Sequence, residues 1–193
     1  VSDTEITFEN LYKSYMDDQK NRLKPSTIES KTYIFDKKIL PFFKKYKIKE
    51  ITPLLVRKWQ NELIKGNLAQ TYLRAIHEQL VAILNYAVKF YNLNKNPCSA
   101  AGRIGKKNAG EMNIWTLEEF KQFIEAIKHK KEAVVGFNIL FYTGMRIGEM
   151  LALTISDIDF EKCKIRINKT FQRIKRTDVI STPKTPKSKR IID

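Results

Sequence analysis

Residues 143–159 read TGMRIGEMLALTISDID, and the rest of the chain is best read outward from this stretch. An apolar run at residues 133–142 precedes it. That run is helical in pattern, breaks at Thr143-Gly144 and resumes through Arg146 to Leu153. Arg146 and Glu149 stand three residues apart, which on a helix puts a guanidinium and a carboxylate on one face. Alone, such a pair is an ordinary surface ion pair. Gly144 and Gly148 change the reading, because they permit the sharp entry and close backbone packing that an inward-pointing arginine needs. A guanidinium offers two aligned donors to an oxyanion, so an arginine held in this way suits a negatively charged ligand.

On the N-terminal side the periodicity predicts four helices in about ninety residues. The first runs over residues 6–22 on Phe8, Leu11, Tyr12 and Tyr15. A break and N-cap at Lys24-Pro25-Ser26-Thr27 opens the second, which continues to about Tyr46 with Pro41 kinking or ending it. Thr52-Pro53 opens the third, stopped by Gly66, and residues 68–91 form a long fourth ended by Asn96-Pro97. Short loops make an antiparallel bundle the simplest packing, giving a first domain at 1–98. Residues 99–113 have no periodicity and are rich in Gly and Lys, so they are expected to be an extended linker. A second domain begins at 114. Thr116 and Glu119 form a capping box for a helix carrying Phe120, Phe123 and Ile127, residues 133–142 are expected to be a more buried helix, and short β runs follow at 164–168, 171–174 and 179–182. The fold class is therefore mainly α with a small β part.

Composition limits what such a chain can do. Its 193 residues, 42% of them hydrophobic, suffice for one good core or two small ones, and a formal charge of +15 favours a polyanionic partner. Nucleic acid leads. Cys98 and Cys163 match no zinc spacing and His77 and His129 have no ligand neighbours, so no metal and no cofactor is expected. Two cysteines make no disulfide framework, which fits a reducing cytosol. No apolar run approaches membrane-spanning length, so no membrane partner is expected. The chain starts on Val1 rather than Met, so it is expected to be a trimmed piece of a longer protein.

The pattern Thr143, Gly144, Arg146, Gly148, Glu149, Leu151, Leu153, Asp157, Ile158 and Asp159 resembles the region around the first catalytic arginine of the tyrosine recombinases, the phage-integrase family. The order of parts resembles it too: helical bundle, linker, capped helix, arginine motif, then strands with a lysine. So do the looser Pro25-Ser26-Thr27-Ile28, Thr71-Tyr-Leu-Arg-Ala75 and Leu84-Asn-Tyr-Ala87. The resemblance implies a SAM-like core-DNA-binding bundle followed by the start of an α+β catalytic domain. It also implies that the full-length enzyme cuts and rejoins double-stranded DNA through a 3′-phosphotyrosyl intermediate, integrating or excising a mobile element in the bacterial cytoplasm. Arg146 is then catalytic, Glu149 supports it, and Lys184 of Lys184-Thr185, on a β-hairpin over residues 182–191, is the general acid; Lys187 and Lys189 remain alternatives.

The family continues with His-x-x-Arg, a further His or Trp and a nucleophilic Tyr, whereas all eight tyrosines here lie at or before Tyr142. These 193 residues are accordingly expected to bind DNA without cutting it, as a monomer in free solution, with a tetramer on DNA reserved for the full-length protein. In the first domain Thr27, Lys31, Tyr72 and Arg74 are the expected DNA contacts, with Lys24 on phosphate. A complete non-catalytic DNA-binding or architectural protein derived from a recombinase is the other reading. Trp59 and Phe120 are expected in cores, and His77 is expected to pack or be solvated.

Overall fold

In the computed structural model, which describes residues 5–183 and 185–192, the chain divides into two compact units, Val1–Met112 and Asn113–Asp193. Lys184, the expected general acid, lies outside the described residues.

The first unit is helical. In α1 (Phe8–Lys20) the Thr7 hydroxyl accepts the Asn10 N–H at 3.3 Å, and Phe8, Leu11, Tyr15 and Met16 turn one stripe inward. Helix α2 (Pro25–Ile34) starts a little earlier than the sequence suggests: Pro25 sits in the first turn and Lys24 holds the cap position, which leaves Ser26 and Thr27 inside the helix. It runs on through one π-helical turn, Phe35–Ile39, into α3 (Leu40–Phe43). Pro41 explains the wide turn, since proline cannot donate to the carbonyl four residues back and its ring crowds that carbonyl. The distortion is supported from outside: the Trp59 indole N–H donates to the Lys38 carbonyl at 2.9 Å.

That tryptophan belongs to α4 (Pro53–Lys65), which Thr52 caps through the Leu55 N–H and which buries Val56, Trp59 and Gln60. The long α5 (Gln70–Phe90) buries Leu73, Ile76, His77, Leu80, Ile83, Leu84 and Ala87, a 3–4 spacing sustained along its length. His77 is fully buried, and burial first, then the nearby Arg74 cation, depresses its pKa.

The expected linker begins inside this unit. Asn96 caps a short α6 (Pro97–Ala101), whose Cys98 and Ala101 join the core, and Ile104 is buried after it. The Lys106 N–H donates to the Gln70 carbonyl at 3.2 Å, and Gly105, at φ +75°, passes so close that a Cβ would stand 2.2 Å from the same oxygen. Only glycine fits that approach. Burial pushes the Cys98 thiol up to about 12.

The second unit opens with α7 (Leu117–Ala126). Thr116 and Glu119 exchange bonds, with the Glu119 N–H on the Thr116 hydroxyl at 3.2 Å and the Thr116 N–H on the Glu119 carboxylate at 2.7 Å. Helix α8 (Lys131–Thr143) ends on Gly144 at φ +61°, and α9 (Ile147–Leu151) follows at once. The expectation that the apolar run is a buried helix is not met: no described residue of α8 is buried, and Val135, Phe137, Phe141 and Tyr142 are exposed. Phe141 stacks on Phe120 and Phe137 meets Phe123 edge-on, so α7 covers part of this helix and leaves the rest open.

Strand β2 (Lys164–Ile167) lies between β1 (Ile158–Asp159) and β5 (Arg190–Ile192), all antiparallel. Strands β3 (Thr170–Ile174) and β4 (Thr177–Ser181) form a separate hairpin, turned by Lys175 and Arg176, both at positive φ. Among the described residues, β4 and β5 belong to different sheets and do not pair as a hairpin, and β5 is preceded by a 3-10 turn at Pro186–Ser188. Among the described residues no helix is long and apolar enough to cross a membrane.

Trp59→Phe, which keeps most of the ring and removes the N–H, is expected to lower stability by about 1–2 kcal/mol because the Lys38 carbonyl loses its donor. Urea denaturation followed by far-UV circular dichroism checks this; unchanged stability would mean that the bond to the π turn contributes nothing.

Candidate functional site

Arg146 is not a mid-helix residue. It occupies the extended N-cap position of α9, immediately after the left-handed Gly144 and the buried Met145. Glu149, at the third helical position, folds back and accepts the Arg146 backbone N–H on Oε2 at 3.0 Å and the Arg146 Nη1 on Oε1 at 2.9 Å. The expected pair on one helix face is thus a cap that also holds a guanidinium. Exposure separates the partners, since the Glu149 side chain is 2% exposed and that of Arg146 is 71% exposed.

A third residue, which the sequence reading missed, completes the cluster. Arg190 of β5 donates its Nη2 to Glu149 Oε2 at 2.9 Å and its Nη1 to the Ser188 carbonyl at 3.2 Å. Ser188 in turn bonds Thr185 through backbone and hydroxyl, so the carboxylate is tied to the segment on the C-terminal side of Lys184. Burial acts to raise the Glu149 pKa, but the bonds from Arg190 and then Arg146 outweigh it and hold the group down to about 2.

Packing fixes this arrangement. A Cβ on Gly148 would stand 2.7 Å from both the Phe171 carbonyl and the Thr170 hydroxyl, so α9 rests on β3 through a bare backbone. The Thr143 hydroxyl donates to the Ile139 carbonyl and accepts the Met145 N–H, shaping the entry turn. Asp157 is buried and accepts from the Thr154 N–H and hydroxyl, from Lys169 Nζ at 2.6 Å and from Asn168, so its charge ties the turn after α9 to the β2–β3 connection. These bonds, led by that from Lys169, keep its pKa far below the usual carboxylate range. Asp159 takes the Lys162 N–H at the β1–β2 turn.

Around this cluster the charge is one-sided. Within residues 162–190 the one acidic side chain is Asp178, and Arg173 engages it with two bonds, at 2.6 and 3.0 Å. A strongly cationic surface next to an exposed arginine can bind a phosphodiester backbone.

In the first unit the expected contacts divide between α2 and α5, which pack together. Lys24 and Thr27 are exposed at the start of α2. Tyr72 is half-buried, and burial, with Tyr33 nearby, raises its phenol pKa. Lys31 and Arg74 are engaged internally. Lys31 Nζ donates to Tyr15 Oη at 3.0 Å and Gln79 Oε1 at 2.7 Å, while Arg74 Nε donates to Glu78 at 2.5 Å.

Comparison with known proteins gives two family matches in chain order. The phage integrase N-terminal SAM-like domain matches residues 7–64, and the phage integrase family matches residues 114–191. The ICEBs1 integrase of Bacillus subtilis is 31% identical over 184 residues, covering 95% of this chain and 50% of its own length. A XerC-like tyrosine recombinase of Caldanaerobacter subterraneus subsp. tengcongensis is 32% identical over 134 residues, covering 66% of this chain and 34% of its own. The chain thus spans half or less of the length of these relatives. Among solved structures, the Tn1549 transposon integrase in complex with transposon right end DNA has a similar fold, with a TM-score of 0.77 at 20% identity, covering 97% of this chain and 60% of that one.

Gly148→Ala is expected to destabilise the second unit by about 1–3 kcal/mol, the usual cost of forcing a methyl into a closed contact. Glu149→Ala is expected to cost roughly 2 kcal/mol, less than a wholly buried pair because Arg146 is mostly in water. Thermal unfolding of both variants checks these values, and parental stability in either would contradict the packing described.

Proposed function

The chain belongs to the phage integrase family of tyrosine recombinases, and from that premise we propose that it is the DNA-binding and phosphate-gripping part of a site-specific recombinase. The observation that carries the reading is Arg146: a guanidinium exposed on the surface, held from behind by a buried carboxylate and set beside a strongly cationic sheet region. In this proposal Arg146 binds the non-bridging oxygens of the scissile phosphate and neutralises the charge that develops as the phosphorus becomes pentacoordinate. Glu149 positions Arg146, and Lys184 protonates the leaving 5′ oxygen.

The whole protein cuts and rejoins double-stranded DNA through a tyrosine nucleophile, integrating or excising a mobile element in the bacterial cytoplasm. Residues 1–193 bind DNA but do not cleave it, because they contain no His-x-x-Arg pair and no tyrosine after Tyr142. The open apolar face of α8 supports this division: in the whole protein a following segment covers it. The chain alone is a monomer, and assembly into a tetramer belongs to the full-length protein on DNA. In the first unit Lys24 and Thr27 meet the DNA at the start of α2. Tyr72 and Arg74 reach it from α5, Arg74 after exchanging Glu78 for phosphate.

Fluorescence anisotropy with labelled duplex DNA tests this. The 193-residue chain is expected to bind duplex more tightly than single-stranded RNA at matched salt, with affinity falling steeply as salt rises. A clear preference for RNA would overturn the reading. On incubation with nicked or intact duplex, no covalent protein–DNA adduct is expected on a denaturing gel, and an adduct formed by this chain would refute the assignment of the nucleophile to a later segment.

A further inference from the structure

Glu149 has one negative charge and two oxygens, and two guanidinium groups share them. Arg190 takes Oε2 at 2.9 Å and is 31% exposed; Arg146 takes Oε1 through a single Nη1 bond and is 71% exposed. The arrangement is asymmetric in a way that matters for phosphate. An arginine beside an unshared carboxylate favours the parallel two-bond fork, which is the strongest pairing available to it and leaves little net charge for a third group. Here Oε2 is already occupied by Arg190 and by the Arg146 backbone N–H. The side chain of Arg146 therefore keeps one bond to Glu149 and turns its remaining donors outward. Two cations on one carboxylate leave the cluster with a net positive charge, and Arg190 is the more buried of the two, anchored a second time on the Ser188 carbonyl.

We propose that Arg190 is a positioning residue that acts through Arg146: by occupying Glu149 it keeps the Arg146 guanidinium uncompensated and available to a DNA phosphate. The proposal rests on the reading of Arg146 as a phosphate ligand. Arg190 itself touches no DNA in this account. Removing its charge lets Glu149 close on Arg146 and neutralise it, so a residue that touches no phosphate becomes necessary for binding.

The test is a double-mutant cycle in the 193-residue chain, read by anisotropy on a labelled duplex at low salt, with circular dichroism and thermal unfolding on every variant. Arg146→Ala is expected to weaken binding roughly fivefold and to reduce the salt slope by about one. Arg190→Gln, which leaves Glu149 an amide donor, is expected to weaken binding to a similar extent in the parent and not at all in the Arg146→Ala background. Arg190→Lys restores the charge on Glu149 and is expected to bind within about twofold of the parent. This rescue distinguishes charge compensation from a need for the arginine fork, and it keeps the proposal open to refutation should the Gln variant fail to fold. A folded Lys variant that binds as weakly as Arg146→Ala overturns the proposal. So does an Arg190→Gln loss that persists undiminished when Arg146 is absent, or a folded Gln variant that binds like the parent. If Arg146→Ala itself binds like the parent, the reading of Arg146 as a phosphate ligand falls and this proposal falls with it.

Discussion

The buried carboxylate of Glu149 is the constraint on which the second unit's site depends. A carboxylate placed out of water is costly unless its oxygens are occupied, and three donors occupy them: one backbone N–H and two guanidinium groups. Each donor comes with a structural requirement. The backbone bond needs Arg146 in extended conformation at the start of α9, which the left-handed Gly144 allows. The bond from Arg190 needs β5 beside β2, which brings a residue 41 positions away onto the same acid. Gly148 then lets α9 lie directly on β3. The exposed guanidinium is the outcome of these closed contacts rather than an isolated surface charge.

Local signals were legible in the sequence wherever the physics is local. The capping box of Thr116 and Glu119, the Thr52-Pro53 helix start and the Gly144 stop each depend on residues within one turn, and each stands where the pattern places it. The four long helical segments follow from apolar spacing alone, and the sense of Trp59 and Phe120 as core residues follows with them. What failed to show depends on distant partners. Residues 99–105 look like a linker by composition, yet α6 packs on α4 and α5 and Ile104 is buried, because Gly102, Gly105 and Asn96 shape a path that composition does not display. Lys31 looks like a free basic side chain until Tyr15 and Gln79 are brought to it from α1 and α5. Arg190 looks like one more cation in a basic stretch, since nothing within its own neighbourhood names Glu149 as its partner.

Both units pair some of their cations with their own acids. In the first, several cations are spent on internal acids, as where the Glu5 carboxylate is clamped by Lys47 and Lys49 and held down to about 2. Around the second unit's site, Glu149 and Asp157 are held in turns and Asp178 in a hairpin, each by a cation, and lysine and arginine outnumber acids over residues 162–190. Placement of the few carboxylates, more than the number of cations, thus decides where a polyanion meets uncompensated charge.

The most direct measurement is the titration of the Glu149 carboxyl carbon by NMR in the 193-residue chain. A folded-state pKa below the ordinary 4.5 means that the stabilisation from this group is fully present above about 4.5 and is lost as pH falls through the folded value. The account predicts a midpoint near 2, with the carboxylate still charged well into acid. A midpoint at or above 4.5 would show a carboxyl governed by burial alone and would contradict the shared hold of Arg146 and Arg190 on it.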